Sequence, residues 1–396
     1  MVECLIWDQD AAGSSPVIPI YLLKKEVKIM IYLDNAATTP VKAEVMQTII
    51  DVMSNHWENP SSVYENGLES RRMIENARRI IANSINAEPD EIIFTSGASE
   101  ANALAIDGFL NANQDTYFAT SNIEHSSIPM FKANHLIEVN SLGLVTELRL
   151  TASLYGTSSH NKLVSIMWAN NEIGTINDIK ALSNIAHKHG AIFHTDATQY
   201  YPYYKIDVKD IGVDMMSVSG HKFGCPKGIG FLYVRKGIDL SPIIYGTQEN
   251  GMRGGTYNTP YIVGLATAVE LLDYSRATYM KELRDYCLQE ILDMGIENEI
   301  GINGWLTNRL PNNLNIRIQD VDSKSLVAIL DMYGVCVSAG SACHAGDKKP
   351  SHVLKAIGLS DKLANESIRI SLSENTTYAE IDKFIKTLKA VLAQLS

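Results

Sequence analysis

The sequence predicts an α/β fold, a mostly parallel sheet covered on both faces by helices, with a smaller α+β unit toward the C-terminus. Three observations predict it. Buried-type apolar runs recur at residues 92–95, 117–120, 163–168, 191–195, 213–218 and 229–234. Stretches with apolar residues at helical spacing fall between several of them. Polar residues gather just after predicted strands: Ser99, His125, Asn171, Asp196, Gln199 and Lys222. Ligands on a parallel sheet bind beyond the carboxyl ends of its strands, so this common placement points to one shared site.

The elements follow in order. Residues 31–33 read as a strand, and Asp34-Asn-Ala-Ala-Thr-Thr-Pro40 as a polar loop closed by proline. Val41, Val45, Ile49 and Val52 recur at helical spacing, Asn59-Pro-Ser-Ser62 breaks that helix, and residues 68–85 form the next. The strand 92–95 leads through Ser96-Gly97 into a helix beginning near Ala98, whose unpaired N–H groups and positive dipole end suit a phosphate. The strand 117–120 precedes Glu124-His-Ser-Ser127, and the strand 163–168 precedes Asn170-Asn-Glu-Ile-Gly174. A helix at 178–189 is stopped by Gly190, and Asp196 ends the strand after it. From about residue 260 the pattern changes. Helices at 260–275 and 279–294 lead to strands at 313–318, 335–338 and 367–372, with a helix at 323–332. The last helix carries Thr377 and Glu380 as a capping box, with Ile381, Ile385, Leu388 and Leu392 on one face.

The expected domains are a large α/β unit over 46–259 and a smaller α+β unit from 30–45 and 260–396. Residues 1–29 are expected to lie outside the fold. They carry acids ahead of any lysine and match neither a secretory signal nor an Arg-rich transit peptide, and Met30 stands directly before the first strand, as a natural start would.

With 396 residues the chain has room for two domains, and 45% apolar and 20% charged residues are ordinary for a globular protein. A net charge of −11 argues against nucleic acid as the main partner. No apolar run approaches the roughly 20 residues needed to span a bilayer. The five cysteines (Cys4, Cys225, Cys287, Cys336, Cys343) form no CxxC pair, which suits a reducing, cytoplasmic setting and gives no structural zinc signature.

In the loop between the strands 213–218 and 229–234, Ser219, His221 and Lys222 can point into one place. A lysine at the mouth of a buried strand beside a histidine loses its proton more easily than a surface lysine, which makes Lys222 a candidate Schiff-base amine. A lysine, a strand-end carboxylate, a phosphate-ready helix start and a histidine together describe a site for pyridoxal 5′-phosphate. Asp196 fits the carboxylate that keeps the ring nitrogen protonated, and Gln199 a donor to the phenolic oxygen. Taken singly, Lys222 reads as a solvated surface lysine, Asp196 as a helix cap and Gln199 as a surface residue.

The chain resembles the cysteine desulfurases of the NifS/IscS type, within the class V aminotransferases, from about residue 31 to 385. The stretches that carry the resemblance are Tyr32-Leu-Asp-Asn-Ala-Ala-Thr-Thr-Pro40, Asn59-Pro-Ser-Ser62, Phe94-Thr-Ser-Gly-Ala-Ser-Glu100, Glu124-His125, Asn170-Asn-Glu-Ile-Gly174, Asp196-Ala-Thr-Gln199, Ser219-Gly-His-Lys222, Arg253-Gly-Gly-Thr256, Ser338-Ala-Gly-Ser-Ala-Cys343 and Ser367-Ile-Arg-Ile-Ser371. The resemblance implies the fold type I of pyridoxal phosphate enzymes, with a seven-stranded type of sheet. It implies that Lys222 is the Schiff-base lysine, that Asp196 holds the pyridinium nitrogen and Gln199 the phenolic oxygen. His125 would stack on the ring and take part in proton transfer. Ala98, Ser99, Ser219 and His221 would hold the phosphate, and Thr256 would reach the phosphate of a neighbouring subunit in a homodimer. Asn171 and Arg369 would grip the carboxylate of L-cysteine, and Cys343 would take the sulfur and pass it to an acceptor protein, a cluster scaffold or a thiolation enzyme.

Departures from the family pattern are Ser99 where threonine is usual, Cys225 where glycine is usual, and no basic residue within Ser371-Leu-Ser-Glu-Asn375. The sequence ends at Ser396 without the tail some relatives use to dock a cluster scaffold, which leaves that docking outside what the resemblance implies. Cys225 reads as a packed small residue. Cys336, in an apolar strand, reads as inert. Other reactions of the superfamily (selenocysteine cleavage, β-elimination, transamination) would use similar cofactor groups, and Cys343 is the discriminating feature. An interaction protein with little turnover would have no need of Lys222, Asp196, Arg369 and Cys343 together.

Overall fold

The computed structural model of the chain describes residues 30–296, 299–340 and 349–395. Its strands are β1 (Ile31–Tyr32), β2 (Ile92–Thr95), β3 (Tyr117–Ser121), β4 (His135–Ile137), β5 (Lys162–Ser165), β6 (Ile192–Asp196), β7 (Met215–Ser219), β8 (Gly230–Val234), β9 (Ile300–Ile302), β10 (Asn313–Ile318), β11 (Val335–Cys336) and β12 (Ser367–Ser371). The central sheet has seven strands in the order β2-β8-β7-β6-β5-β3-β4, and β8 alone runs against its neighbours. That reversal has a simple cause. The link from β7 to β8 is short, and a short link joins antiparallel strands, whereas parallel ones need a crossover.

Successive residues of each strand point to opposite faces. On one face Phe94, Val164, Phe193, Met216 and Phe231 pack with Ile74 and Ile81 of helix α1 (Glu65–Ser84). On the other, Ile93, Phe118, Leu163, Met215 and Leu232 pack with Leu104 and Phe109 of helix α2 (Ala98–Ala112). The expectation of a mostly parallel sheet covered on both faces therefore holds. A separate core forms where β1, β10 and β12 meet the helices Arg276–Leu292, Ser323–Met332 and Tyr378–Leu395, around Leu33, Ile316, Ile370 and Phe384. In it β12, β10 and β9 form an antiparallel sheet and β1 pairs with β11. Among the described residues no helix is long and apolar enough to cross a membrane.

The capping box at Thr377 forms: Thr377 N donates to Glu380 Oε2 at 2.8 Å and Glu380 N to Thr377 Oγ1 at 3.3 Å. The strand expected over 163–168 ends at Ser165, although Ile166 and Trp168 still donate to the carbonyls of His194 and Asp196. β4 and the helix Glu147–Leu154 were not foreseen. β4 is a three-residue edge strand with His135 and Leu136 exposed, so it carries little alternation to read.

Two local constraints hold the carboxyl edge of the sheet. Buried Glu124, just beyond β3, accepts hydrogen bonds from Ser121 Oγ and from Met167 N at 2.9 Å, tying the ends of β3 and β5 together. Burial raises its pKa from 4.5 to about 8, against the lowering effect of those two donors. Gly230 of β8 pairs with Thr95, and a Cβ there would stand 2.4 Å from Val218 O and 2.8 Å from Gly97 Cα.

Glu124 binds its proton more tightly in the folded chain than in the unfolded one. Its contribution is therefore complete below about pH 4.5 and lost as pH rises through about 8. Glu124→Gln is expected to flatten the decline of stability across that interval, measured by urea midpoints, and an unchanged slope would assign the decline to other groups. Gly230→Ala is expected to lower stability by about 1–3 kcal/mol, as overpacking does, and to push the turn at Gly97 outward. A urea titration measures the first, and an unaltered midpoint would mean that the two backbones separate freely.

Candidate active site

At the end of β7 the chain leaves the sheet through one tight turn, Gly220–Lys222. The turn aims Lys222 at the loop after β1. Lys222 Nζ donates to Ala36 O at 2.6 Å and Ala37 O at 2.8 Å. Gln199 Nε2 donates to the same Ala36 O at 3.0 Å. His221 shares a hydrogen bond with Thr38 Oγ1 at 3.1 Å through Nδ1, and its carbonyl accepts from Thr39 N and Oγ1. Burial lowers the His221 pKa to about 4, assisted by the charges of Lys222 and Lys227, so its imidazole is neutral at pH 7. Residues 34–39 thus collect three of the expected site residues at one strand end.

Asp196 ends β6, buried. Its Oδ1 accepts from Thr198 N at 2.9 Å and its Oδ2 from Asn102 Nδ2 at 2.8 Å. Asn102 Nδ2 also donates to Ser127 Oγ at 2.8 Å, and Ser127 Oγ lies 2.7 Å from His125 Nδ1. Because Ser127 N donates to that same Nδ1, the nitrogen is an acceptor and the neutral ring carries its proton on Nε2. A continuous chain, Asp196–Asn102–Ser127–His125, therefore joins the carboxylate to the imidazole. Two residues before Asp196 on the same face, His194 is fully buried between Ser165 Oγ and Ser217 Oγ. Burial lowers its pKa to about 4, against the raising effect of Asp196, so no cation lies behind the carboxylate.

Gly97 begins α2 with φ +145°, a conformation that L side chains rarely adopt, and a Cβ there would meet Ser219 Oγ at 3.3 Å. Ala98 and Ser99 follow in the first turn, Ser99 exposed and Ala98 half-buried. A glycine-lined helix start facing Ser219, with a serine hydroxyl at its mouth, is a cradle for an anionic group.

Arg369 on β12 is 1% exposed, yet it reaches the same region. Its Nη1 donates to Asn171 O at 2.9 Å, and its Nη2 to Asp34 Oδ1 at 2.7 Å and Ser338 Oγ at 3.3 Å. Its Nε is buried with no partner among the described residues, an open donor on a guanidinium whose two other nitrogens are engaged. Asn171 meets Arg369 through its carbonyl. Thr256 is the one expected site residue, among those described, that stands apart: it is exposed on the loop before the helix Thr259–Glu270. Cys343 lies outside the described residues. Cys225 is 1% exposed, and burial pushes its thiol up to about 12, so it is a packed and unreactive residue.

Sequence reasoning missed Asn102, Ser127 and Asp34 as partners of the site. Asn102 follows Ser99 by one helical turn, and Asp34 follows a strand, but nothing in sequence pairs either with a residue about 100 or more positions away.

The sequence pattern of the family described as aminotransferase class-V matches residues 31–384. A cysteine desulfurase IscS from Dictyoglomus turgidum is 40% identical over 389 residues, covering 94% of this chain and 96% of that protein. Among solved structures, a NifS-like protein from Rickettsia africae superposes with a TM-score of 0.84 at 33% identity, over 92% of this chain and 99% of that one. SspA in complex with cysteine gives a TM-score of 0.76 at 34% identity, over 87% and 99%. The order of strands, the strand-end lysine and carboxylate, and these matches lead to one conclusion: the chain belongs to the aminotransferase class-V family.

Proposed function

We propose that the protein is a cysteine desulfurase, which converts L-cysteine to L-alanine and leaves a persulfide on Cys343. The observation that carries the reading is the convergence of a strand-end lysine, a buried carboxylate and an arginine with one open donor beyond a single sheet edge. The relative named as a cysteine desulfurase and the relative solved with cysteine support the substrate. The cofactor is pyridoxal 5′-phosphate, and the residues present fit it. Lys222 offers the amine, buried Asp196 a carboxylate with one face hydrogen-bonded and fixed, and the Gly97 turn a cradle that a Cβ would crowd. When bound, the group supplies an aldehyde for that amine and a sink for electrons released at the substrate α-carbon.

The remaining work falls to the chain. Asp196 would keep a proton on the ring nitrogen, and Gln199, whose Nε2 donates to Ala36 O, would serve as the donor to the phenolic oxygen. Ala98 and Ser99, with Ser219 and His221, hold the phosphate; neutral His221 can donate without adding charge. Arg369 and Asn171 orient the substrate carboxylate, the open Nε–H being a donor for one of its oxygens. Lys222 carries the α-proton. His125, positioned through Ser127 and Asn102, would lie against the ring and offer an Nε2 proton. The Cys343 thiolate attacks the substrate sulfur: an S–S bond forms, the C–S bond breaks, and its electron pair stays with carbon, which is protonated to give alanine. Exposed Thr256 is read as reaching the phosphate of a second copy, so the working unit is a homodimer, in a reducing cytoplasmic setting. The persulfide then passes to an acceptor protein of cluster assembly or thiolation.

A cysteine pulse followed by mass spectrometry tests the reading directly. One alanine per enzyme site and one added sulfur on Cys343 are expected, and Cys343→Ser should keep the bound cofactor yet form no persulfide. Added sulfur on Cys225 or Cys336 would overturn the assignment. Arg369→Lys leaves Asp34 a cation but removes the open Nε donor. It should raise KM for cysteine by about 10- to 150-fold, the span of a lost charge-assisted hydrogen bond, while cofactor content stays near one per chain. An unchanged KM would make Arg369 a packing residue.

A further inference from the structure

A carboxylate stands where the proposed phosphate cradle begins. Glu100 lies in the first turn of α2, next to Ser99, and its Oε2 accepts from Ser96 N at 2.8 Å. Arg253 covers it with two donors: Nε reaches Oε1 at 2.7 Å and Nη2 reaches Oε2 at 3.3 Å. The pair is largely enclosed, with side-chain exposures of 26% for Arg253 and 9% for Glu100. Burial alone would push the Glu100 pKa up, but the bonds from Arg253 and Ser96 hold it below the usual carboxylate range, so it stays charged. The helix start therefore carries a fixed negative charge at the end where a phosphate dianion is expected. Like charges that close, partly shielded from water, oppose one another, and the helix dipole favours both only singly.

We propose that Arg253 sets the affinity for the cofactor's phosphate without touching it, by neutralising Glu100. Arg253 is then a positioning residue: its guanidinium is committed to Glu100, and its effect on the phosphate is through charge. The proposal rests on the reading of the Gly97 turn as the phosphate cradle. The same loop also carries Thr256, three residues on, and the buried ion pair between Arg78 and Glu249 anchors its start, Arg78 Nη1 and Nη2 each lying 2.8 Å from a Glu249 oxygen. The Arg253–Glu100 pair is thus a direct link between that loop and the phosphate turn of its own chain.

Full-length protein freed of cofactor with hydroxylamine is titrated separately with pyridoxal 5′-phosphate and with pyridoxal, followed by absorbance. Arg253→Met should weaken binding of the phosphorylated compound by about tenfold or more and leave pyridoxal within about twofold, because only the phosphate feels Glu100. Arg253→Lys, which keeps the charge, should retain most of the affinity. The double variant Glu100→Gln/Arg253→Met has no ion pair and no charge, and should recover the phosphorylated compound to within about threefold of the parent. Equal losses for both compounds, or a double variant as weak as Arg253→Met, would overturn the proposal, since a tether holding the loop is broken in both variants. If Arg253→Met fails to fold, Arg253→Gln and the double variant make the same comparison. A parent protein that binds neither compound would overturn the cofactor-site reading itself, an outcome distinct from failure of the charge argument.

Discussion

Two cations beyond the strand ends, half-buried Lys222 and buried Arg369, need acceptors, and one short loop supplies most of them. Ala36 O and Ala37 O take the lysine, and Asp34 takes the arginine. Asp34 is the ion-pair partner of a buried arginine, and removing one partner of a buried pair costs about 3–5 kcal/mol, so this loop has little freedom to sit elsewhere. The rest of the site follows from its position. Gln199 and His221 meet the same six residues, and Asn35 N and Ala36 N reach Ser371 O and Oγ on β12. A segment near the start of the fold is thereby clamped between β7 of the large sheet and β12 of the second core.

The two acidic groups near the sheet edge are held by different hydrogen-bond arrangements. Asp196 receives a backbone and an amide N–H on separate oxygens, whereas Glu124 has one oxygen with two donors and the other, Oε2, buried without a partner. A carboxylate accepts at both oxygens, so an oxygen stripped of water and given no donor favours the protonated form. The neighbouring negative charge of Asp196 acts in the same direction on Glu124. His194 and His221 are both neutral, and Lys222 and Arg369 supply basic side chains beyond the strand ends.

Much of this was legible in sequence. The boundaries of β2, β10 and the helix Ser323–Met332 coincide with the expected ones, because each is a strongly patterned run bounded by turn residues. The placement of Lys222, Asp196, Gln199 and His125 after strands was readable in the sequence, and the parallel sheet brings those strand ends together. The edge strand β4 and the helix Glu147–Leu154 escaped, since a short exposed strand and an eight-residue helix carry little periodicity.

The sequence by itself determined the fold class, the strand-end lysine and carboxylate, and the glycine at position 97, because local periodicity and φ/ψ preference are properties of neighbouring residues. Only the tertiary structure decided the partners. Asp34 meets Arg369 across 335 positions, Asn102 meets Asp196 across 94, and Arg253 meets Glu100 across 153. Pairings over such separations depend on how strands are ordered in the sheet and on which side chains burial leaves without water, and no local pattern encodes either.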